Sequence, residues 1–257
     1  MSSTIGILAI GSLYWATGVR EAWRQSRLRM KDEISVNVPI RYGRLSTKGE
    51  RRGTYTMVFS SEPMELGKAK VLPCNNDVAS LNDLEIEARA LWAAERKCSQ
   101  PDGRIASGWG SVTLLHNPSG NVGTELLDGW AHRVADENHF LDLARRIEGG
   151  RLIGESGLLQ IPWPGLDSGE PVDLDLLLAT ANEPTLIGDP PAYPSAETVA
   201  LAWKRGLHER PADKPDDYFW QNKKHGITTF QDREIEMILS SRSGCSSLFG
   251  SIFVSLS

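Results

Sequence analysis

The apolar run Ile5-Gly-Ile-Leu-Ala-Ile10 breaks abruptly at Gly11-Ser12-Leu13. A strand that ends in such a turn presents several backbone N–H groups at one point, where they can hold an anion such as a carboxylate. Taken alone, a Gly-Ser pair is as simply a tight turn. Further along, Glu85, Glu87 and Glu95 punctuate a stretch of helical character. Carboxylates on a helix either move protons beside a bound ligand or stay solvated. His132, Asp136 and His139 fall at i, i+4 and i+7, a spacing that puts metal ligands on one helix face. Two histidines on a charged helix are more simply solvated, and no metal is expected. There is no Gly-X-Ser-X-Gly, no Walker loop, no dinucleotide fingerprint and no His-Glu-X-X-His.

The elements that must hold these residues can be read in order. Ile5 to Ile10 suits one buried strand and is too short to span a bilayer. Beyond Gly11, Trp15, Val19, Trp23 and Met30 keep near-helical spacing, with Arg20, Arg24 and Arg27 between them as a solvated face. Ile34, Val36, Val38 and Ile40 alternate with polar residues in a half-buried strand that Pro39 pushes toward an edge or a bulge. Thr54 to Ser60 and Gly67 to Pro73 make two more strands, after a charged loop over Ser46 to Gly53. At Ser80 the period changes to that of a helix: Ser80 and Asp83 form a capping box, and Leu84, Ala88, Leu91 and Trp92 form its apolar stripe.

Trp109 to His116 returns to strand, Thr124 to Glu148 reads as the longest helix, and Gly149-Gly150 ends it. Strands follow near Gly157 to Ile161 and Val172 to Ala179, then helices over Ser195 to Arg205, Asp216 to His225 and Thr229 to Ser241. The five tryptophans 109, 130, 163, 203 and 220 are core contacts or the walls of a ligand pocket. The serine-rich tail from Ser240 adds a strand or docks loosely.

Length and charge bound the function. The chain of 257 residues has ample length for a real core, and its 40% hydrophobic and 24% charged residues are ordinary for a globular protein. A net charge of −5 argues against general nucleic-acid binding. Cys74, Cys98 and Cys245 are odd in number and widely spaced, which fits a reducing compartment. No basic residue precedes the apolar start, and no small-residue cleavage site follows it, so it reads as the first strand of a cytoplasmic protein without a membrane span.

Strand, Gly-Ser-Leu, helix, several strands and then a Leu-rich segment with a carboxylate resembles the γ-glutamylcyclotransferase-like fold family. The resemblance covers roughly Ile5 to Glu95, and its strongest pieces are Ile10-Gly11-Ser12-Leu13 and Ser80-Leu-Asn-Asp-Leu-Glu-Ile-Glu-Ala88. It implies an α+β fold with a mixed, partly closed β-barrel, added helices and a helical C-terminal extension. The barrel domain would span 1–150, with a strand-plus-helix extension over 151–257 packed on it or merged with it. It also implies release of 5-oxoproline from a γ-glutamyl amine or peptide by intramolecular attack. The substrate, a small molecule with a free carboxylate, would lie on Gly11, Ser12, Leu13 and Tyr14. Glu87 or Glu85 would transfer the proton, Glu87 keeping the large-apolar, Glu, small pattern, and no cofactor is needed. Ile10 stands where the family has an aromatic residue. A non-catalytic binding or interaction protein on the same fold is therefore the second reading, and oligomeric state is left open.

Overall fold

The computed structural model describes residues 2–47, 51–209 and 216–241. The tail with Cys245, and residues 48–50 of the charged loop, lie outside them. One seven-stranded sheet forms the centre, built from β1 (Ile5–Ala9), β2 (Ile34–Leu45), β3 (Tyr55–Phe59), β4 (Leu66–Pro73), β5 (Ala106–Ser107), β6 (Gly110–His116) and β7 (Leu176–Asn182), in the order β3-β2-β4-β1-β7-β6-β5. β1 pairs parallel with β7 and antiparallel with β4; every other pairing is antiparallel. The architecture is thus α+β with a mixed sheet. The sheet is open, with β3 and β5 at its edges, where a partly closed barrel was expected. It does curl, for Cα atoms of β3 come within 8 Å of β7 without strand pairing.

β1 is buried along its whole length because it is a central strand covered on both faces, which a continuous apolar run permits. β2 serves two neighbours. Ile34–Pro39 pairs with β4, and Ile40–Leu45 pairs with β3 across a register shift between Tyr42 and Arg44. Pro39 stands where the partner changes, and the irregularity falls at Gly43, four residues beyond it. β7 comes from the last third of the chain yet lies between β1 and β6, so the described residues beyond 150 share the sheet and core of those before it.

Helices surround this sheet. α1 (Ser12–Trp15) is a single turn, and Gly18 at φ 73° separates it from α2 (Val19–Arg27). α3 (Leu81–Glu95) starts as expected, with the Ser80 side chain accepting from Asp83 N. The helix expected over Thr124 to Glu148 is two helices, α4 (Thr124–Ala135) and α5 (Phe140–Arg146). His139 in the left-handed region (φ 65°) turns the chain between them. α6 (Ala196–Glu209), α7 (Asp217–Lys224) and α8 (Asp232–Ser240) follow. The strand expected near Gly157 to Ile161 is reduced to isolated bridges at Leu158 and Leu159. Trp92, Trp130 and Trp203 are fully buried, whereas Trp220 is exposed. Among the described residues no helix is long and apolar enough to cross a membrane.

Candidate functional site

At the C-terminal end of β1 the chain turns through Gly11, whose φ of 56° and ψ of −142° suit glycine alone. The sequence suggests that a bare Cα is kept there for a ligand. What packs on it is Tyr218: a Cβ at residue 11 would stand 2.1 Å from the Tyr218 hydroxyl. That hydroxyl in turn accepts from Met57 N at 3.2 Å, and burial pushes it up from its ordinary range. Gly11 therefore lets α7 seal one side of the turn.

A cavity of about 150 Å³ opens beside the turn. That is room for a small molecule or one of its ends and too little for a polymer. β1, α1 and the turn between them contribute Leu8, Ile10, Ser12 and Leu13 to its lining. The β2–β3 hairpin adds Arg44 and Arg51, α3 adds Glu95, β7 adds Thr180 and Asn182, and Trp109 and Tyr218 complete the wall. Ser12 is the junction. Its Oγ accepts from Arg20 Nη1 at 2.5 Å and from Arg51 Nη1 at 2.8 Å. Two accepted bonds use both lone pairs of a hydroxyl, which leaves its proton to donate. A donor held between two guanidiniums suits an anion, by hydrogen bond and by charge together.

Arg20 and Arg24 were expected on a solvated face. Both are buried, at 6% exposure; Arg20 lines the cavity, and Arg24 braces the turn of α1 beside it. Arg20 donates to Ala94 O, Glu95 O and Glu95 Oε2, the last at 2.9 Å, so its charge also meets the negative end of α3. Arg24 donates to Leu13 O and Ala16 O, satisfying the carbonyls that end α1. Burial lowers the Arg24 pKa from its ordinary value.

Arg44 lies over the Trp109 ring at 4.6 Å, and Trp109 stacks on Trp92. Burial lowers the Arg44 pKa, opposed by the fields of Glu95 and Glu183. The Glu95 side chain is 14% exposed, and its Oε1 has no hydrogen-bond partner among the described residues.

Of the residues expected at the site, Ser12 and Leu13 line the cavity and Gly11 supports it from behind. Tyr14 turns elsewhere. Its hydroxyl is pushed up to about 12 by burial and by its short hydrogen bond to Glu33, which Lys70 also engages. Glu87 is buried, but both its oxygens are held by Arg27, at 2.8 and 2.9 Å. Glu85 pairs with Arg89 and, at 3.5 Å, with Arg133 on α4. Neither lines the cavity.

The carboxylate that does line it is Glu95, and a signal for it exists in the sequence. Leu84, Ala88, Leu91 and Glu95 advance by 4, 3 and 4 residues, so Glu95 falls within about 20° of Leu84 around the helix. Glu87 and Glu85 lie about 60° and 100° to either side of that line. Arg20 carries a weaker signal, eight residues beyond Ser12. His132, Asp136 and His139 do not gather: His132 Nδ1 bonds Asp128 O, and His139 makes the bend after α4. Among the described residues no group of three or more His, Cys, Asp or Glu stands together in a way that could hold a metal. No protein-family model, no curated protein and no solved structure matches the chain.

Proposed function

We propose that the chain is a γ-glutamylcyclotransferase-like enzyme acting in the cavity at the end of β1. The observation that carries this reading is the convergence there of a hydroxyl donor between two arginines with a carboxylate that keeps one oxygen unengaged. The substrate α-carboxylate would lie against the Ser12 hydroxyl, Arg20 and Arg51. The α-ammonium first gives one proton to solvent, and the free α-amine attacks the γ-carbonyl carbon; a C–N bond of the five-membered lactam forms, and the C–N bond to the leaving amine breaks. Glu95 Oε1 takes the proton that the attacking nitrogen loses and returns it to the leaving nitrogen. The products are 5-oxoproline and a free amine or peptide.

A positioned carboxylate contributes typically about 10²–10⁴-fold to such a step, and the intramolecular attack supplies its own effective concentration. No cofactor has to take part. The resemblance would make Glu87 or Glu85 the acid/base group; this reading gives the role to Glu95, because arginines engage the other two. The family's partly closed barrel is its implied architecture, with which the inward curl of β3 toward β7 is in keeping. The free Cys74 and Cys98 favour a reducing compartment such as the cytoplasm.

The test is 5-oxoproline release from a panel of γ-glutamyl amines and γ-glutamyl dipeptides. Release by the wild-type chain and its loss in Glu95→Gln is the expected result. No release from any member, with binding retained, would establish the second reading, a binding protein on the same fold. Ile10 in the cavity wall, apolar where the family keeps an aromatic residue, is the feature that favours it.

A further inference from the structure

The end of β7 brings two polar side chains to the cavity. Thr180 and Asn182 are two residues apart and so project from one face of the strand. They are 5% and 7% exposed. Neither Thr180 Oγ1 nor Asn182 Oδ1 has a hydrogen-bond partner among the described residues. Buried polar atoms of native proteins are seldom left unpaired, and those that are call for a reason. The Asn182 side chain also depends on a missing Cβ across the ladder. It pairs with Gly110, where a Cβ would stand 2.5 Å from Asn182 Oδ1. An unused amide oxygen thus lies against Gly110, on a residue that lines the same cavity as Arg20, Arg44 and Arg51.

Resting on the reading that the ligand's carboxylate lies at Ser12, we propose that Thr180 and Asn182 accept hydrogen bonds from a protonated amine on the same ligand. The end of β7 would then be what separates an α-amino acid or its γ-derivative from a plain carboxylic acid at this site. An ammonium group has three N–H donors. Thr180 Oγ1, Asn182 Oδ1 and Glu95 Oε1 are acceptors on three residues of one cavity wall, each lacking a donor among the described residues. The Thr180 and Asn182 oxygens are buried behind the wall in this structure, and binding requires both side chains to rotate toward the ligand. The arginines read the anionic group and the β7 end reads the cationic one, so the two contacts together also fix which way the ligand points. Thr180 and Asn182 are binding residues in this scheme and move no proton.

The probes are L-glutamate and glutarate, which differ only in the amine and cannot lose an amine leaving group. Titration calorimetry on the full chain should show L-glutamate bound at least tenfold more tightly than glutarate. In Thr180→Val and Asn182→Leu the preference should fall to threefold or less, with glutarate affinity held within twofold of wild type. Gly110→Ala, which displaces the Asn182 side chain without altering its chemistry, should act in the same direction and guards against misfolding of the Leu variant. Equal binding of the two probes by the wild type would overturn the amine assignment and leave the carboxylate site standing. An unchanged preference in folded Thr180→Val and Gly110→Ala variants would overturn the role of β7. Failure of the wild type to bind either probe would remove the carboxylate reading and this inference with it.

Discussion

The α2–α3 interface carries two arginine–carboxylate pairs of opposite design. Arg27 gives both its forks to Glu87, and Glu87 gives both oxygens back. The pair is chemically complete and pins two helices. Arg20, seven residues earlier and so on nearly the same face of α2, divides its donors among Ser12 Oγ, two α3 carbonyls and a single oxygen of Glu95. That pair is incomplete on the carboxylate side and faces a cavity. Residue types are the same in both, though Arg20 is the more buried arginine and Glu87 the more buried carboxylate; what separates the pairs is the valence left over. An arginine that saturates a carboxylate makes structure, whereas one that holds it by one oxygen orients it and leaves the other for a ligand.

Several variants would break or sharpen that contrast. The largest effect is expected for Glu95→Gln, which should lower 5-oxoproline release by about 10²-fold or more while the melting temperature stays near wild type; full activity would reduce the Arg20 pair to structure as well. Gly11→Val forces a branched side chain into a positive-φ position and against Tyr218. It should cost about 3 kcal/mol in denaturant titrations and abolish ligand binding.

A third buried carboxylate, Asp232, shows what happens with no arginine on either oxygen. It accepts from Thr229 N and Oγ1, its Oδ2 has no partner among the described residues, and burial raises its pKa to about 6. A raised carboxyl pKa means that the folded state holds the proton more tightly. Its stabilising contribution is therefore complete below about pH 4 and is lost as pH rises through about 6, by up to about 3 kcal/mol. Asp232→Asn should flatten that loss in melts taken between pH 4 and 7; an unaltered profile would mean that the carboxyl stays ionised.

Glu87→Gln is expected to cost about 1–2 kcal/mol of stability, moderated because Arg27 is partly exposed, with turnover within a few-fold of wild type. Glu85→Gln should change stability by less than about 0.5 kcal/mol and leave activity alone. A turnover defect in Glu87→Gln larger than that in Glu95→Gln would exchange the roles of the two pairs.

Much of this was legible in the sequence where a local rule decides it. The apolar run Ile5 to Ile10, the break at Gly11, the Ser80 cap and the Leu84 stripe all follow from neighbours within a few residues. Carried to the end of the helix, the stripe also points to Glu95. The buried arginines were hidden because a charged residue at helical spacing reads as solvated until its partners are known. Ser12 and Glu95 are those partners, one before α2 and one far after it. Thr180 and Asn182 were hidden for another reason. The alternation of Val172, Leu174 and Leu176 suggested a strand ending at Ala179, yet Asp175 is engaged with Thr4 before pairing starts, and the strand runs on to Asn182. The break at His139 left no mark, since a helical period continues on both sides of it.

The insertion of β7 between β1 and β6 has a consequence for how the molecule comes into being. Thr4 and Asp175 bond across 171 residues of sequence, and Ile5 pairs with Leu176. A nascent chain can close β2, β3 and β4 early, by local hairpins, but β1 must wait for a distant stretch before its second edge is covered. Closing so long a loop is slow to reward, and the delay leaves an apolar edge open to other chains. The cavity needs Ser12 from one side of that closure and Asn182 from the other, so ligand binding should appear only in the last kinetic phase of refolding. Pulse-labelled hydrogen exchange would show it as amide protection in β1 and β7 that rises together, after β2 and β4. Earlier protection of β7 would mean that the closure nucleates folding instead of completing it.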